Sequence, residues 1–313
     1  MDIALIRTFL AVADTGSFVA ASARLFVTQS AVSLRIQRLE DSLGKVVFLR
    51  SKAGVELTPS GRAFEHYAIS MVKLWEEARQ QVAVPQGFTA SLTIGAQYSL
   101  WQRLGFRWMD ALQAAMPDLA LRAEMGMPDR LTRFLIEGAV QAVLTYVPQQ
   151  RPGLSVVPVM EDELVLVASF EADGLEGVAD AYVHMDWGPE FTQAHAIGLP
   201  ELSESGTTLK LEALGAEYVV NRRAAAYVPA RTAKPHLDAG RLHLVPDAPI
   251  FPYPVWAVFR EDLDETLAAT ARETLATVAA RAEDAQGEVL QALEEVSEEE
   301  IATLGAETPE MAG

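Results

Sequence analysis

The chain has 313 residues, of which half are apolar and 22% are charged, and this predicts a soluble globular protein of about two domains with sizeable cores. It contains no cysteine, which excludes disulfides, iron–sulfur clusters and thiolate zinc sites, and no apolar run approaches the ~18 residues of a membrane span. No basic region precedes an apolar stretch at the N-terminus, so a secretory signal is not expected and the predicted location is the cytoplasm.

Charge is distributed unevenly along the chain. Taken whole, a net charge of −18 argues against a nucleic-acid partner. However, residues 1–65 contain eight basic and six acidic residues, a net charge of +2, so the rest of the chain carries −20. Residues 283–313 alone contain ten acidic residues and no basic ones. The net charge of the whole chain therefore conceals a difference between a mildly basic N-terminal segment and a strongly acidic remainder.

The basic segment has the pattern of three short helices. Apolar residues recur with helical spacing within residues 3–13 and 18–25. Ser17 is suited to cap the second helix and Thr28 to cap a third, which Gly44 should end. The short breaks between them are typical of helix–turn–helix packing, in which one helix lies in the DNA major groove. The outward side of the third helix offers polar groups that suit base edges and phosphates, on Gln29, Ser30, Ser33, Gln37 and Arg38, together with Leu34.

A hairpin and a long helix should follow. Two β-type runs, 46–49 and 55–57, are separated by Ala53-Gly54, and Thr58-Pro59 then begins a helix with proline at its first position. The apolar residues of this helix form a heptad-like seam that either packs on its own domain or pairs with a partner helix, and a lone helix favours pairing. The predicted dimerisation seam comprises Phe64, Ala68, Met71, Trp75, Ala78 and Val82.

From about residue 91, strands and helices alternate, which predicts an α/β region with a mostly parallel sheet. Strands are predicted over residues 91–96, 119–125, 141–147, 156–159 and 163–168, with helices over 101–116 and 129–138. A second unit spans about 170–255, with strands at 218–220 and 242–245, and a strand at 255–259 should return to the first unit. A helix is predicted over 262–281, before an acidic tail.

The first 65 residues carry a specific motif. It comprises Phe9-Leu10-Ala11-Val12-Ala13, Gly16-Ser17-Phe18, Ala20-Ala21, Leu25, Thr28-Gln29-Ser30-Ala31-Val32-Ser33, Ile36, Leu39-Glu40, Leu43-Gly44, Phe48, Arg50 and Leu57-Thr58-Pro59-Ser60-Gly61. In this order and spacing, these residues resemble the LysR-type transcriptional regulators. The segments 163–167 and 224–229 resemble the effector domain of the same family more weakly.

The resemblance implies an α/β fold with an N-terminal all-α winged helix–turn–helix and a C-terminal two-lobed domain like that of periplasmic binding proteins. The implied divisions are a DNA-binding domain (1–58), a dimerising linker helix and hinge (59–87), an effector-binding domain (91–282) and an acidic tail (283–313). Lobe 1 is expected at about 91–168 and 255–282, and lobe 2 at about 169–254. The implied function is ligand-responsive, sequence-specific regulation of transcription, by dimers or tetramers bound to inverted repeats in promoter DNA.

The resemblance also assigns residues to DNA binding. By position these are Ser17, Thr28, Gln29, Ser30, Ser33, Arg35, Arg38, Arg50 and Lys52. Gln29, Ser30 and Ser33 would enter the groove, whereas Arg50 in the wing would meet a phosphate. Leu34 departs from the polar residue that many members carry, which affects the expected base preference.

The effector is expected in the cleft between the lobes, where strand-to-helix ends meet. The candidate lining residues are Tyr98, Ser99, Thr145, Tyr146, Trp187, Arg222 and Arg223. An arginine can hold a carboxylate in a bidentate pair, and aromatic rings can cover an apolar or cationic remainder. This predicts a carboxylated metabolite, or a betaine-type zwitterion. The alternative is that these aromatics belong to the core and the arginine pair to the solvated surface.

Two other functions remain as alternatives, a solute-binding protein of the same two-lobed fold and an α/β enzyme. The helix–turn–helix argues against the first, and the sequence lacks G-x-S-x-G, G-x-G-x-x-G, P-loop and H-E-x-x-H motifs. Because these motifs are missing, no enzyme activity and no cofactor are expected. The five histidines have no metal-ligand spacing, so no metal site is expected either. The acidic tail could be a docking surface or a competitor for the basic wing, but a solvated extension is favoured.

Overall fold

The computed structural model describes residues 2–51, 54–82, 84–203, 205–210 and 214–305. It has an N-terminal domain, called the head, then a long helix and a C-terminal region of two lobes. No described helix is both long and apolar enough to cross a bilayer. The head and the long helix consist of α1 (Ile3–Thr15), α2 (Phe18–Leu25), α3 (Gln29–Leu43), the hairpin strands β1 (Phe48–Ser51) and β2 (Gly54–Leu57), and α4 (Pro59–Val82).

The helix caps predicted in the head are present. Ser17 and Thr28 each accept a hydrogen bond from the backbone N–H three residues further on, at 3.3 and 3.2 Å. Gly44 ends α3 in the left-handed conformation, with φ of 63°. The β1–β2 hairpin, called the wing, is attached to the α1–α2 turn because the Val55 N–H donates to the Gly16 carbonyl at 3.0 Å.

The apolar residues of α4 are divided between two surfaces. Phe64 packs edge-on against Phe9 of α1, with ring centroids 5.0 Å apart, and Ala68 is fully buried. The prediction that the whole seam awaits a partner is therefore wrong for Phe64 and Ala68, because the head itself covers them. An exposed apolar surface remains on α4; this α4 stripe comprises Tyr67, Met71, Leu74, Trp75, Ala78 and Val82.

The two lobes contain the remaining elements. Lobe 1 is built from β3 (Ala90–Ala96), α5 (Tyr98–Leu100, continued by a π-helical turn over Trp101–Gly105), α6 (Phe106–Ala115), β4 (Leu119–Met125), α7 (Pro128–Ile136) and β5 (Ala142–Thr145). Then follow β6 (Leu154–Ala168), β7 (His184–Met185), α8 (Pro189–Gly198), β8 (Thr208–Leu209), α9 (Leu214–Val220), β9 (Ala225–Pro229), α10 (Ala230–Asp238), β10 (His243–Leu244), β11 (Phe251–Arg260) and α11 (Glu265–Val296).

The main sheet is mixed. β3 lies between β4 and β5 and is parallel to both. In contrast, β11 is antiparallel to β5 and β6, and β6 is antiparallel to β9 and β10. The prediction of a mostly parallel sheet is therefore wrong for the described strands. Alternation of strands and helices indicated parallel pairing, but it could not show that two long strands run back through the sheet.

These long strands, β6 and β11, connect the lobes. β6 covers two segments that the sequence predicts as separate strands, and its pairing with β11 runs from Leu154 opposite Arg260 to Leu164 opposite Phe251. Residues 164–168 pack in the core of lobe 2, whereas the division by sequence placed them in lobe 1. As predicted, β11 returns to lobe 1 beyond Val255.

One predicted strand of lobe 2 is a helix. Residues 218–220 form the end of α9, although their tyrosine and valines favour a strand. Gly215, Ala216 and Val219 of α9 are buried, and their spacing of one and three places them on one helical face. Packing of this face therefore decides the local structure.

The C-terminal helix is longer than predicted and spans both lobes. Leu275 of α11 packs in the core of lobe 1, whereas Val289 and Leu293 pack in the core of lobe 2. Beyond α11 the chain returns to lobe 2, where the Leu304 N–H donates to the Ile250 carbonyl at 2.8 Å. Residues 283–305 are therefore attached to the fold and do not form the solvated extension that acidic composition favoured.

Candidate functional site

The outward face of α3 is polar. Gln29, Ser30 and Arg38 are exposed, and Ser33 is half-buried. The opposite face is apolar and packs into the head, so it holds the polar face away from the protein. Thr28 Oγ1 lies 3.0 Å from Ser30 Oγ, which orients the first turn of the helix. These side chains form the surface that the sequence predicts for contacts with DNA bases.

The wing adds an exposed basic group close to the start of α2. Arg50 lies on β1 with its guanidinium carbon 4.1 Å from the centroid of the Phe18 ring, at the start of α2. Ser17 caps the same helix end, where backbone N–H groups favour an anion. The ion pairs among the described residues involve neither Arg38 nor Arg50. Lys52, also predicted to bind DNA, lies outside the described residues.

One predicted DNA contact points elsewhere. Arg35 is half-buried, and its Nη1 lies 3.4 Å from Thr8 Oγ1 of α1. Its guanidinium therefore connects α3 with α1. Periodicity could not reveal this, because position 35 borders the buried face and a long side chain can reach across that border.

The cleft between the lobes contains a buried ion pair that the sequence analysis missed. Arg231 Nε donates to Asp162 Oδ2 at 2.6 Å, and both side chains are almost fully buried. Burial acts to lower the pKa of Arg231, but the Asp162 carboxylate and the Tyr146 hydroxyl raise it above the ordinary arginine value. Arg231 follows the end of β9, so its position at a strand end was the available signal.

The predicted cleft residues are only partly brought together. Tyr98, Ser99, Thr145 and Tyr146 lie where lobe 1 meets lobe 2, and Trp187 approaches from lobe 2. Thr145 Oγ1 donates to Gln97 Oε1 at 2.8 Å, and the Trp187 indole N–H donates to the Tyr227 carbonyl at 2.9 Å. The polar groups of Thr145 and Trp187 are therefore engaged within the protein.

Arg222 and Arg223 do not line the cleft, and this prediction is wrong. They are exposed and lie over the rings of Tyr218 and Phe170 on lobe 2. They precede β9, whereas the cleft meets the opposite end of that strand, next to Arg231. The position of these arginines next to β9 in the sequence indicated the correct strand, but it did not show which end of that strand faces lobe 1.

An open cavity of about 240 Å³ lies outside the buried ion pair. This outer cavity has one wall from lobe 1 and the other from α9 and α10 of lobe 2. His236 Nε2 lies 3.9 Å from Glu217 Oε1 across its lobe 2 wall. The lining residues are Tyr98, Gln102, Leu214, Ala216, Glu217, Thr232, Pro235 and His236.

A larger cavity of about 510 Å³ lies between the head and lobe 1. Four of its charged lining groups form ion pairs, Arg24 with Asp14 and Arg133 with Glu137. Burial raises the pKa of Glu137. The outer cavity is the better candidate for a small ligand, because aromatic and hydrogen-bonding groups from both lobes converge there.

Two family models match the chain. Residues 3–62 match the bacterial regulatory helix-turn-helix protein of the lysR family, and residues 85–179 match the LysR substrate binding domain. Curated relatives include the HTH-type transcriptional regulator HdfR of Yersinia pestis (strain Pestoides F), which is 29% identical over 276 residues, covering 85% of this chain and 92% of HdfR. HdfR of Yersinia pseudotuberculosis serotype O:1b (strain IP 31758) matches to the same extent.

Solved structures show a similar fold. ArgP from Mycobacterium tuberculosis has a TM-score of 0.54 at 24% identity, covering 89% of this chain and 97% of ArgP. LysG from Corynebacterium glutamicum, a structure with bound effector Arg, has a TM-score of 0.53 at 20% identity, covering 90% of this chain and 99% of LysG.

Proposed function

Because this chain belongs to the LysR family of transcriptional regulators, we propose that its head binds promoter DNA with α3 in the major groove, under the control of a small molecule bound between the lobes. The observation that carries the proposal is the exposed polar face of α3, together with the exposed Arg50 of the wing over the first residue of α2. The proposed function implies a cytoplasmic location and involves no catalysed reaction. It also distinguishes this chain from a solute-binding protein, which needs no DNA-facing head.

The DNA-binding surface is tested by substitutions with different expected effects. Arg50→Ala should weaken binding to all sequences and lower the salt dependence by about one counterion per protomer, because it removes a phosphate contact. Gln29→Ala and Ser33→Ala should instead change the preference among sites by about 1–3 kcal/mol per lost base contact. Gel shifts with the DNA upstream of the gene, over a range of salt concentrations, measure both effects.

Arg223→Ala is the matched control for Arg50→Ala, since it removes an exposed arginine that also lies over an aromatic ring but is on lobe 2. It should leave DNA binding unchanged. Unaltered affinity, salt dependence and site preference in Arg50→Ala, Gln29→Ala and Ser33→Ala together would exclude this surface as the DNA-binding site.

For the effector, the proposal is a small molecule with a cationic nitrogen in the outer cavity. The carboxylate hypothesis depended on Arg222 and Arg223, which lie elsewhere, and Arg231 is already paired with Asp162. Glu217 supplies a negative charge to the outer cavity, and Tyr98 supplies a ring. A zwitterion with its nitrogen toward Glu217 also fits this lining.

Thermal-shift screening of the full chain against amines, zwitterions and simple carboxylates tests this assignment. Glu217→Gln should lower the affinity for a cationic hit by roughly tenfold, because a charge-assisted hydrogen bond becomes a neutral one. Glu190→Gln, which neutralises an exposed carboxylate elsewhere on lobe 2, should bind normally. Binding of carboxylates alone, unaffected or strengthened by Glu217→Gln, would contradict the proposed chemistry.

A further inference from the structure

The inner part of the cleft is filled by one guanidinium group. Arg231 of α10 is 1% exposed, and its Nη2 donates to the Tyr146 hydroxyl at 2.7 Å. Its Nε donates to Asp162 on β6, and its Nη1 lies 3.5 Å from the Ser99 carbonyl oxygen. A side chain of lobe 2 is thus held by two groups of lobe 1 and by a carboxylate on a strand that connects the lobes.

The surroundings of this guanidinium have the composition of a ligand site. Asp162 supplies a buried carboxylate, and its Oδ1 has no hydrogen-bond partner among the described residues. The ring of Tyr146 stacks on Tyr253 of β11, with centroids 3.9 Å apart, and Trp187 of lobe 2 meets Tyr253 edge-on at 5.5 Å. A carboxylate, a hydroxyl and a carbonyl are groups that would bind a free guanidinium compound, and the hydroxyl belongs to a ring held in place by stacking.

We propose that the inner cleft is a guanidinium-binding subsite that the chain occupies with its own Arg231. The side chain takes the place of a ligand and holds the two lobes together without one. A diffusible effector is therefore confined to the outer cavity, where it adds to contacts between the lobes that already exist. This inference deepens the proposed function, because it rests on the cleft being the effector site.

The C-terminal helix supports this arrangement of the lobes. Gln286 of α11 is buried; its Nε2 donates to the Glu161 carbonyl at 2.8 Å, and its Oε1 accepts from the Glu163 N–H at 3.2 Å. These bonds flank Asp162 on β6. Because α11 packs on both lobes as one continuous helix, it restrains their relative rotation at the position where Arg231 joins them.

Chemical rescue tests the subsite. Arg231→Ala should lower the Tm of the full chain by roughly 5–15 °C, because it leaves the buried carboxylate without its partner. Millimolar methylguanidinium chloride should recover much of this loss by binding the vacated position, whereas equal concentrations of sodium chloride or methylammonium chloride should not. The double variant Arg231→Ala with Asp162→Asn should show no recovery, because the carboxylate is absent.

The control is Arg223→Ala, an exposed arginine on the same lobe, whose Tm should neither fall nor respond to methylguanidinium. If Arg231→Ala does not fold alone, its soluble yield after refolding with and without methylguanidinium gives the same comparison. An unchanged Tm of Arg231→Ala, the absence of any recovery, or an equal response in the double variant would overturn the subsite. Gel shifts of the wild-type chain test the proposed DNA-binding function separately. Failure of the guanidinium subsite can therefore be distinguished from failure of the proposed function.

Discussion

We expect two copies of this chain to pair through α4, and replacement of Trp75 by glutamate to convert that dimer into monomers. Trp75 is 47% exposed and lies at the centre of the α4 stripe, which no other described segment covers. Pairing with the same helix of a second chain would bury the stripe and give two-fold symmetry. The substitution removes about 2 kcal/mol of apolar burial per protomer, or about 4 kcal/mol per dimer, which weakens association roughly a thousandfold.

Sedimentation velocity over a range of protein concentrations measures this change. Met71→Glu should act in the same way, whereas Ile197→Glu, at an exposed apolar residue of lobe 2, should leave the dimer intact. Loss of the dimer should also weaken binding to paired DNA half-sites more than binding to a single half-site, since the two copies of α3 are no longer linked. An unchanged oligomer in both α4 variants would show that the interface lies elsewhere.

A second large effect is expected from Gly61→Ala in the first turn of α4. A Cβ atom at this position would lie well inside contact distance of the Val47 carbonyl oxygen, which already accepts a hydrogen bond from the Thr58 N–H at 3.0 Å. Moving the two backbone segments apart to relieve the clash would break this bond. We expect a loss of about 3 kcal/mol in the free energy of unfolding of the head, with DNA binding lost at a correspondingly lower temperature.

Gly287→Ala is the matched control, because Gly287 also lies in a helix but a Cβ there meets no atom within 4 Å. This variant should be more stable than the wild type by about 0.5–1 kcal/mol, since alanine favours helix. Calorimetry should therefore show a lower unfolding free energy for Gly61→Ala and a higher one for Gly287→Ala. A Gly61→Ala variant as stable as the wild type would mean that α4 can shift away from Val47 without loss of stability.

The sequence alone was sufficient to predict the head. Ser17 and Thr28 cap helices through bonds to residues three positions away, and Gly44 takes a left-handed conformation at the end of its own helix. Such interactions are local, so residue type and spacing carry them. The order of the motif in the first 65 residues likewise identified the family that the family models match.

The tertiary structure decided which surfaces and side chains meet. Arg231 and Asp162 are 69 residues apart and form a buried pair because β6 and α10 come together at the junction of the lobes. The same packing leaves Arg222 and Arg223 on the outer surface, covers Phe64 of α4 with the head, and draws α11 across both lobes. Periodicity shows which side of an element is apolar, but the neighbour that covers it depends on contacts distant along the chain.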